Sequence, residues 1–483
     1  MFQKPDGIYS TPSQLDTMDY TRIAAREFGV QFCDICTRSI SPEVKGGPVP
    51  SAFYGEIFVP EDGNEVCCVE TAGWNRFSDA LKRRYLWSDA NFKKLDSGFF
   101  KATSTALGLV KRIADTDIGT KSDAELGRMF LEYRDNDLYY IAYDWILWEL
   151  NNIYANETRE VLRRLGMDAG LSQKRILELD GAVLSPESKS SLYKLREVAG
   201  RWGTMPLAER GRLHREYRWI PCPDYHYKPF TLKEFSDYVR NIKKSRKKGS
   251  ASYEDAIKIL KPSKKERALF DRTRRMGYLK DFKDDAKRTR FCDAQAMYGE
   301  IARRMGAKLK EVSYMTADEI TGFLATGKKA DKRLVRERIE SGFVLYYDSS
   351  HKVRCVSGGG VESALAEIGY MRTASLSKDI AGVTASQGYA KGRAILVRSM
   401  SDLHKVKKGD IMVAIATVPD FVPAMERAAG IIAEEGGITS HAAIVSRELR
   451  LPCIVGAANV TKIIRDGDLV ELDADNGIAR ILK

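Results

Sequence analysis

The sequence predicts an α/β domain over residues 382–483, preceded by a larger, mostly α-helical (α+β) region. Three observations carry this. Apolar residues recur at three- and four-residue spacing through long stretches between about 76 and 340, the signature of helices with one buried face. Composition then shifts after about residue 370, where Ser375 to Ser386 is small, polar and poor in aromatics. Beyond that point short β-prone runs alternate with turns and one or two helices, the pattern of a compact α/β fold.

Taken in order, residues 1–75 read as mixed, with β-prone runs at Ala52-Phe53-Tyr54 and Val66–Val69 among Pro, Gly and Asp turn signals. Residues 76–370 read as mostly helical, with helices expected over Lys121–Gly166, Pro186–Trp202, Thr231–Lys247 and Ser263–Met305. Thr316-Ala317-Asp318-Glu319 is a capping box, in which both side chains satisfy free N–H groups at a helix start. Phe343 to Val356 reads as a hairpin turning at Asp348-Ser349-Ser350. Residues 371–381 read as a linker. In the last domain, strands are expected at Gly392–Val397, Asp410–Ile415, Gly430–Glu434, Cys453–Val455, Leu469–Leu472 and Ile478–Leu482. A helix is expected from about Thr439 to Leu449, and Asn476-Gly477 is a hairpin turn.

The 483 residues are 43% hydrophobic and 30% charged, an ordinary globular composition that needs no disulfide staples. The eight cysteines show no framework spacing. The first ten residues contain an early Asp and no apolar core, unlike a signal peptide. Tyr139 to Leu150, the most apolar stretch, is interrupted by Asp144 and Glu149 and is too short to span a bilayer. A cytoplasmic protein with no membrane association is the expectation. A net charge of +12 suits nucleic acid, acidic surfaces or anionic ligands such as phosphates and does not choose among them.

Chemistry concentrates at Gly436-Gly437-Ile438-Thr439-Ser440-His441-Ala442-Ala443-Ile444-Val445-Ser446-Arg447. Two glycines after a buried strand permit positive φ and close approach of a ligand to the backbone. Thr439 or Ser440 can cap the helix that follows. His441 then lies in the first turn, where free N–H groups and the helix dipole favour an anion. An imidazole nitrogen bearing a phosphoryl group is such an anion. Ala442 and Ala443 leave room beside it, and Arg447 is expected to reach a phosphate oxygen.

This segment resembles, position by position, the active-site signature of the phosphoenolpyruvate-utilising enzymes: phosphoenolpyruvate synthase, pyruvate phosphate dikinase, enzyme I of the sugar phosphotransferase system and rifampin phosphotransferase. The resemblance extends to Thr417-Val418-Pro419-Asp420, Pro423-Ala424-Met425, Gly430–Glu434, Leu451–Gly456 and Gly382–Gly388. It implies that residues 382–483 are a phosphohistidine swivelling (mobile) domain, with His441 the phosphoryl-carrying nucleophile and Gly436, Gly437, Thr439, Ser440 and Arg447 around the phosphate. Weaker likenesses at Cys36-Thr37-Arg38-Ser39 and His214–Ile220 make Arg38 and His214 possible acceptor or phosphate contacts, and residues 1–370 an acceptor-binding or docking region.

The expected activity is therefore that of a phosphotransferase component, one subunit of a split enzyme that relays phosphate between a nucleotide-binding partner and an unknown small-molecule acceptor. No family-like ATP-grasp module is found before the domain, and the chain stops directly after the domain's last strand. ATP and magnesium are thus expected through an ATP-grasp-type partner in trans, with no cofactor bound by this chain itself. Gly322–Lys329 reads G-x-x-x-x-G-K but carries Lys where Ser or Thr should hold magnesium, and follows a helix rather than a strand. Cys33, Cys36, Cys67 and Cys68 have poor zinc-ligand spacing, so no metal site is expected. Gly358-Gly359-Gly360 reads as a flexible loop. The basic run Lys243–Lys248 reads as a solvated helix end, and with no aromatic platform beside it nucleic-acid binding is not the expectation. The competing readings are a non-catalytic regulatory or binding module that retains the swivelling fold, and a basic nucleic-acid-binding protein.

Overall fold

The computed structural model describes residues 19–44, 47–61, 64–186, 191–242, 252–370, 380–398, 400–417, 421–438 and 440–482. The chain forms two compact units, and neither is a continuous segment. The first takes residues 1–79, 115–142 and 296–374; the second takes 80–114, 143–295 and 375–483. The contiguous division expected at residues 75, 370 and 381 is corrected on this point. Its cause lies in strand pairing between segments far apart in sequence.

In the first unit, strands β1 (Tyr20–Arg26), β2 (Glu56–Glu61), β3 (Asn64–Glu70), β4 (Phe343–Tyr347) and β5 (Val353–Ser357) form one sheet in the order β1-β3-β2-β4-β5. The expected hairpin around Asp348 is β4–β5, and it joins the N-terminal strands where Phe58 pairs with Leu345. Every residue of β4 is buried. The expected strand at Ala52–Tyr54 does not form. Phe53 instead packs against Trp74 and Phe77, and pairing starts after Gly55. The capping box at Thr316 is present, with Thr316 N donating to Glu319 at 2.7 Å. Gly358–Gly360 is a turn of 3₁₀ helix that leads into helix Val361–Glu367, so the expectation of a flexible loop is corrected.

In the second unit, helix Asp89–Ala114 packs with the Tyr143–Asp168 part of helix Asp123–Asp168 and with helix Lys264–Met305. Polar contacts fix their register. Arg275 grips both oxygens of Asp96, with one Nη2 contact at 3.0 Å, and the hydroxyls of Thr158 and Thr273 meet at 2.6 Å. The segments expected as Pro186–Trp202 and Thr231–Lys247 contribute the shorter helices Ser191–Ala199 and Leu232–Asn241. The basic run at 243–248 lies outside the described residues.

The same unit holds an eight-stranded sheet: β6 (Ile380–Ala381), β7 (Val383–Ser386), β8 (Tyr389–Val397), β9 (Ile411–Ala414), β10 (Gly430–Ala433), β11 (Cys453–Val455), β12 (Leu469–Asp473) and β13 (Ile478–Ile481). Its order is β6-β13-β12-β8-β9-β10-β11-β7. The four central strands are parallel, and all residues of β9, β10 and β11 are buried. That explains their unbroken apolar runs, because a strand covered on both faces has no polar side to alternate with. One face packs Met412, Ile431 and Val455 against Ala442, Ala443 and Val445 of helix His441–Leu449. The other packs Val413, Ile432 and Ile454 against Val460 and Ile464.

Most of the expected linker, residues 371–379, lies outside the described residues. Its described end is not a linker. Ile380–Ala381 pair with β13, and Val383–Ser386 pair with β11. Small side chains with β-branched Val383 and Thr384 suit the edges of a twisted sheet as well as they suit a tether.

Gly392 sits where β8 passes closest to the Gly409 turn. A Cβ there would press on the Gly409 carbonyl, which is backbone and cannot swing aside. Gly392→Ala is expected to destabilise the unit by about 1–3 kcal/mol. Chemical denaturation checks this, with the exposed neighbour change Lys391→Ala expected to stay within about 0.5 kcal/mol of wild type.

Candidate functional site

The site forms where parallel strand β10 ends and helix His441–Leu449 begins. Gly436 has φ +98°, a conformation open to glycine, and a Cβ there would strike the side chain of Ser440. Gly437 O accepts from Ser440 N at 2.9 Å, closing the turn. Ser440 is the cap: its hydroxyl accepts from Ala443 N at 3.3 Å. Thr439 lies outside the described residues, as do Val418-Pro419-Asp420. Ile438 seats the turn by burying its side chain against Ala155 and Leu184. A buried Ile of this kind contributes roughly 1.5–3 kcal/mol.

His441 is thereby fixed as the first residue of a nine-residue helix. Its Nδ1 lies 2.8 Å from Thr417 Oγ1, which is itself buried just beyond β9. Its Nε2 is buried and has no hydrogen-bond partner. Burial first, and then the positive charges of Lys280, Arg288 and Arg196, push the imidazole down to about 3, with Asp284 opposing them. The ring is therefore neutral at any ordinary pH, and a neutral imidazole keeps the lone pair that a nucleophile needs.

The charged surroundings come from the helical part of the same unit. Lys280, Asp284 and Arg288 are four residues apart on helix Lys264–Met305 and share one face of it. Asp284 is driven far below the ordinary carboxylate value. Burial opposes its charge, but Lys283, Lys287 and Lys280 outweigh that penalty. Lys287 binds Asp144 at 3.0 Å and Asp284 at 3.2 Å, and Lys283 bridges the same two carboxylates. Arg288 donates to Ile220 O, and Arg196 pairs with Glu448 on the histidine's own helix.

Gly436, Gly437, Ser440 and His441 are thus brought together as the sequence indicated. Arg447 is not. Six residues along a helix at 100° per residue is most of two turns, which sets Arg447 on a different face from His441. It donates to Ala385 O at 3.2 Å and is placed beside Asp180, which Arg159 binds at 3.0 Å. The expectation that Arg447 reaches the phosphate is corrected on this geometry. Arg38, in the first unit, is held by Asp34 at 2.8 Å and Glu43 at 3.1 Å. His214 bonds to Phe230 O at 2.7 Å and lies beside the Phe235 ring. Both side chains have structural duties. Gly322–Lys329 is a helix end, with Gly327 at φ +75° and its N–H on Phe323 O, as its place after a helix suggested. Cys33 and Cys36 are buried on helix Val30–Ser39, while Cys67, on β3, meets Glu56.

Sequence reading missed the roles of Thr417, Lys280, Asp284, Arg288 and Arg196. The stretch Lys280-Asp281-Phe282-Lys283-Asp284-Asp285-Ala286-Lys287-Arg288 did carry a signal, opposite charges at four-residue spacing. In a chain with 78 Lys and Arg, that signal is common on any solvated helix.

Comparison with known proteins places residues 406–477 in the family described as PEP-utilising enzyme, mobile domain. A probable phosphoenolpyruvate synthase of Methanothermobacter thermautotrophicus is 48% identical over 99 residues, which are 20% of this chain and 14% of that protein. The phosphoenolpyruvate synthase of Pyrococcus furiosus is 50% identical over 97 residues, 20% of this chain and 12% of that protein. The chain therefore matches only about an eighth of the length of these relatives, all of it around the C-terminal domain. Among solved structures, Thermococcus kodakaraensis aconitase X is similar to 22% of the chain at 18% identity and TM-score 0.19, too slight a likeness to carry an argument.

The depressed imidazole gives a pH test. Unfolded, His441 takes up a proton near its ordinary 6.5; folded, only near 3. The folded state binds fewer protons between those values, so this group's contribution is whole above 6.5 and is lost as the pH falls toward 3. Nitrogen-detected NMR of the histidines is expected to show His441 neutral throughout pH 5–8, with Lys280→Met or Arg288→Met raising its titration midpoint.

Proposed function

We propose that this chain, whose residues 406–477 are a PEP-utilising enzyme mobile domain, works as a phosphotransferase component carrying a phosphoryl group on His441 Nε2. One observation carries the reading. A buried, unpartnered Nε2 of a neutral imidazole stands at a helix start, in the positive field of Lys280, Arg288 and Arg196. In the proposed reaction, the Nδ1–H donates to Thr417 Oγ1 and leaves the lone pair on Nε2. Nε2 attacks phosphorus in line with the departing donor oxygen, and cations and helix N–H groups balance the charge on the phosphoryl oxygens. A second transfer passes the group to an acceptor. Thr417 is a positioning residue in this scheme, since it fixes the ring and its tautomer but touches no reacting atom.

The reading includes a split enzyme. ATP and magnesium are bound by an ATP-grasp-type partner, and this chain supplies the carrier and the acceptor side. Supporting this, the one stretch with the outline of a phosphate loop, Gly322–Lys329, is folded as a helix end. The basic charge of the chain also suits docking on an acidic partner, steered by a field that salt weakens.

Two measurements test the proposal. Purified protein given magnesium and ATP labelled at the transferable phosphates is expected to remain unlabelled alone and to become labelled on His441 once an ATP-grasp-type protein is added. Stoichiometric label on His441 with no second protein would place the nucleotide site in this chain and end the split reading. Thr417→Val is expected to slow labelling about tenfold, equivalent to ~1.4 kcal/mol in the barrier, while Thr417→Ser keeps the wild-type rate. Equal rates in all three proteins would remove Thr417 from the mechanism.

A further inference from the structure

The mobile domain carries its own cores, drawn from residues 380–479 alone. What holds it against the helical part of the same unit is of another kind. Arg196, on helix Ser191–Ala199, pairs with Glu448 on the histidine's helix. The Arg196 side chain is only 5% exposed, while Glu448 keeps 30%. Arg159, on helix Asp123–Asp168, donates to the Thr384 carbonyl oxygen at 3.4 Å and to Asp180 at 3.0 Å. Next to Asp180, Gly181 leaves space for Arg447, and a Cβ there would stand 3.5 Å from Arg447 Cδ. The apolar part of the seam is a plug, Ile438 in the socket of Ala155 and Leu184. Seams that stay shut bury broad apolar faces; a small plug ringed by charged side chains is the make-up of a contact that opens.

The seam closes over the histidine. The plug, Ile438, precedes His441 in the turn, and the ion-paired Glu448 follows it near the far end of the same helix. Between these two anchors, Nε2 is buried without a hydrogen-bond partner, while Nδ1 is held by Thr417 from within the domain. A donor phosphorus cannot approach a nitrogen so covered, and a phosphoryl group on it needs room for its oxygens. The docked arrangement and a reacting Nε2 therefore exclude one another.

We propose that this arrangement is a closed form of the chain, held by a latch of Arg196 with Glu448, Arg159 with the Thr384 carbonyl and Ile438 in its socket, and that His441 Nε2 is reachable only when the latch releases. The inference rests on the reading of His441 as the carrier for what the latch withholds, though not for whether it closes. By linkage, whatever opens the latch favours phosphorylation, and a phosphoryl group on His441 favours the open form by the same factor. Two of the contacts can be weakened without touching the turn or the Thr417 bond. Glu448 lies two turns along the helix from His441, and Leu184 belongs to the opposing helix Gln173–Leu184.

The test is the reactivity of His441 toward diethyl pyrocarbonate in the full chain, mapped by mass spectrometry with the exposed His351 as internal standard. Wild-type His441 is expected to react far more slowly than His351. Glu448→Gln and Leu184→Ala, one from each side of the seam, are each expected to speed His441 about tenfold and leave His351 unchanged. Circular dichroism identical to wild type separates release of the latch from loss of the fold. Glu448→Arg is expected to go further, and Glu448→Arg combined with Arg196→Glu to return toward the wild-type rate, because the ion pair re-forms with its ends exchanged. A wild-type His441 as reactive as His351, or folded Glu448→Gln and Leu184→Ala proteins at the wild-type rate, overturns the latch. Phosphoramidate, which phosphorylates histidine without a nucleotide, supplies the second arm. Glu448→Gln is expected to take phosphate on His441 about tenfold faster than wild type, and equal rates overturn the latch as a gate. If diethyl pyrocarbonate shows the release but neither protein takes phosphate on His441, the latch stands and the carrier reading falls.

Discussion

The site depends on one unfavourable arrangement, a polar imidazole nitrogen buried beside three cations with nothing to bond to. Leaving such a group unpaired costs about 1–3 kcal/mol, so the surrounding structure must over-determine it. Thr417 holds the other ring nitrogen, Ser440 caps the helix, and Ile438 anchors the turn in an apolar socket. With those contacts in place, the ring can neither rotate Nε2 toward a partner nor take up a proton. What the fold gives up in stability at this point it holds as a neutral imidazole nitrogen in the positive field of nearby side chains.

The eight-stranded sheet makes that placement possible. Parallel strands β9 and β10 end side by side, so Thr417 beyond one and the Gly436–Ser440 turn beyond the other converge at the same edge of the sheet. Ligand sites at the carboxyl ends of parallel strands are general in α/β folds. Here the helix that leaves the turn carries Glu448 to Arg196, so the same element that presents the histidine also ties itself to the helical residues facing it. The carboxylates of Asp144 and Asp284 keep Lys283 and Lys287 from adding to the positive field. The field at His441 is therefore set by a few particular cations rather than by the chain's net charge.

How much of this was legible follows from how local each signal is. The Gly-Gly turn, the Ser440 cap, the helix after it and the buried strands before it were all readable, because each is written in consecutive residues. The capping box at Thr316 and the positive-φ Gly327 were readable for the same reason. The two-unit division was not, because β4 and β5 return from residues 343–357 to a sheet begun at residue 20, and nothing in either segment names the other. Arg447 misled because closeness along the sequence was taken for closeness in space. Lys280, Arg288 and Arg196 lie more than 150 residues from His441 and look like the charged face of any helix until the fold sets them opposite it. Arg38 and His214 were suggested by likeness alone, and the contacts that occupy them are tertiary.

The central claim concerns one nitrogen atom. The most direct measurement is nitrogen–phosphorus NMR on histidine-labelled protein, phosphorylated in the presence of its donor system and kept alkaline to preserve the phosphoramidate bond. The account predicts a single phosphohistidine, at residue 441, with phosphorus coupled to Nε2 and Nδ1 still protonated toward Thr417. Phosphorus bonded to Nδ1, or a phosphohistidine signal that persists undiminished in His441→Ala, would contradict it.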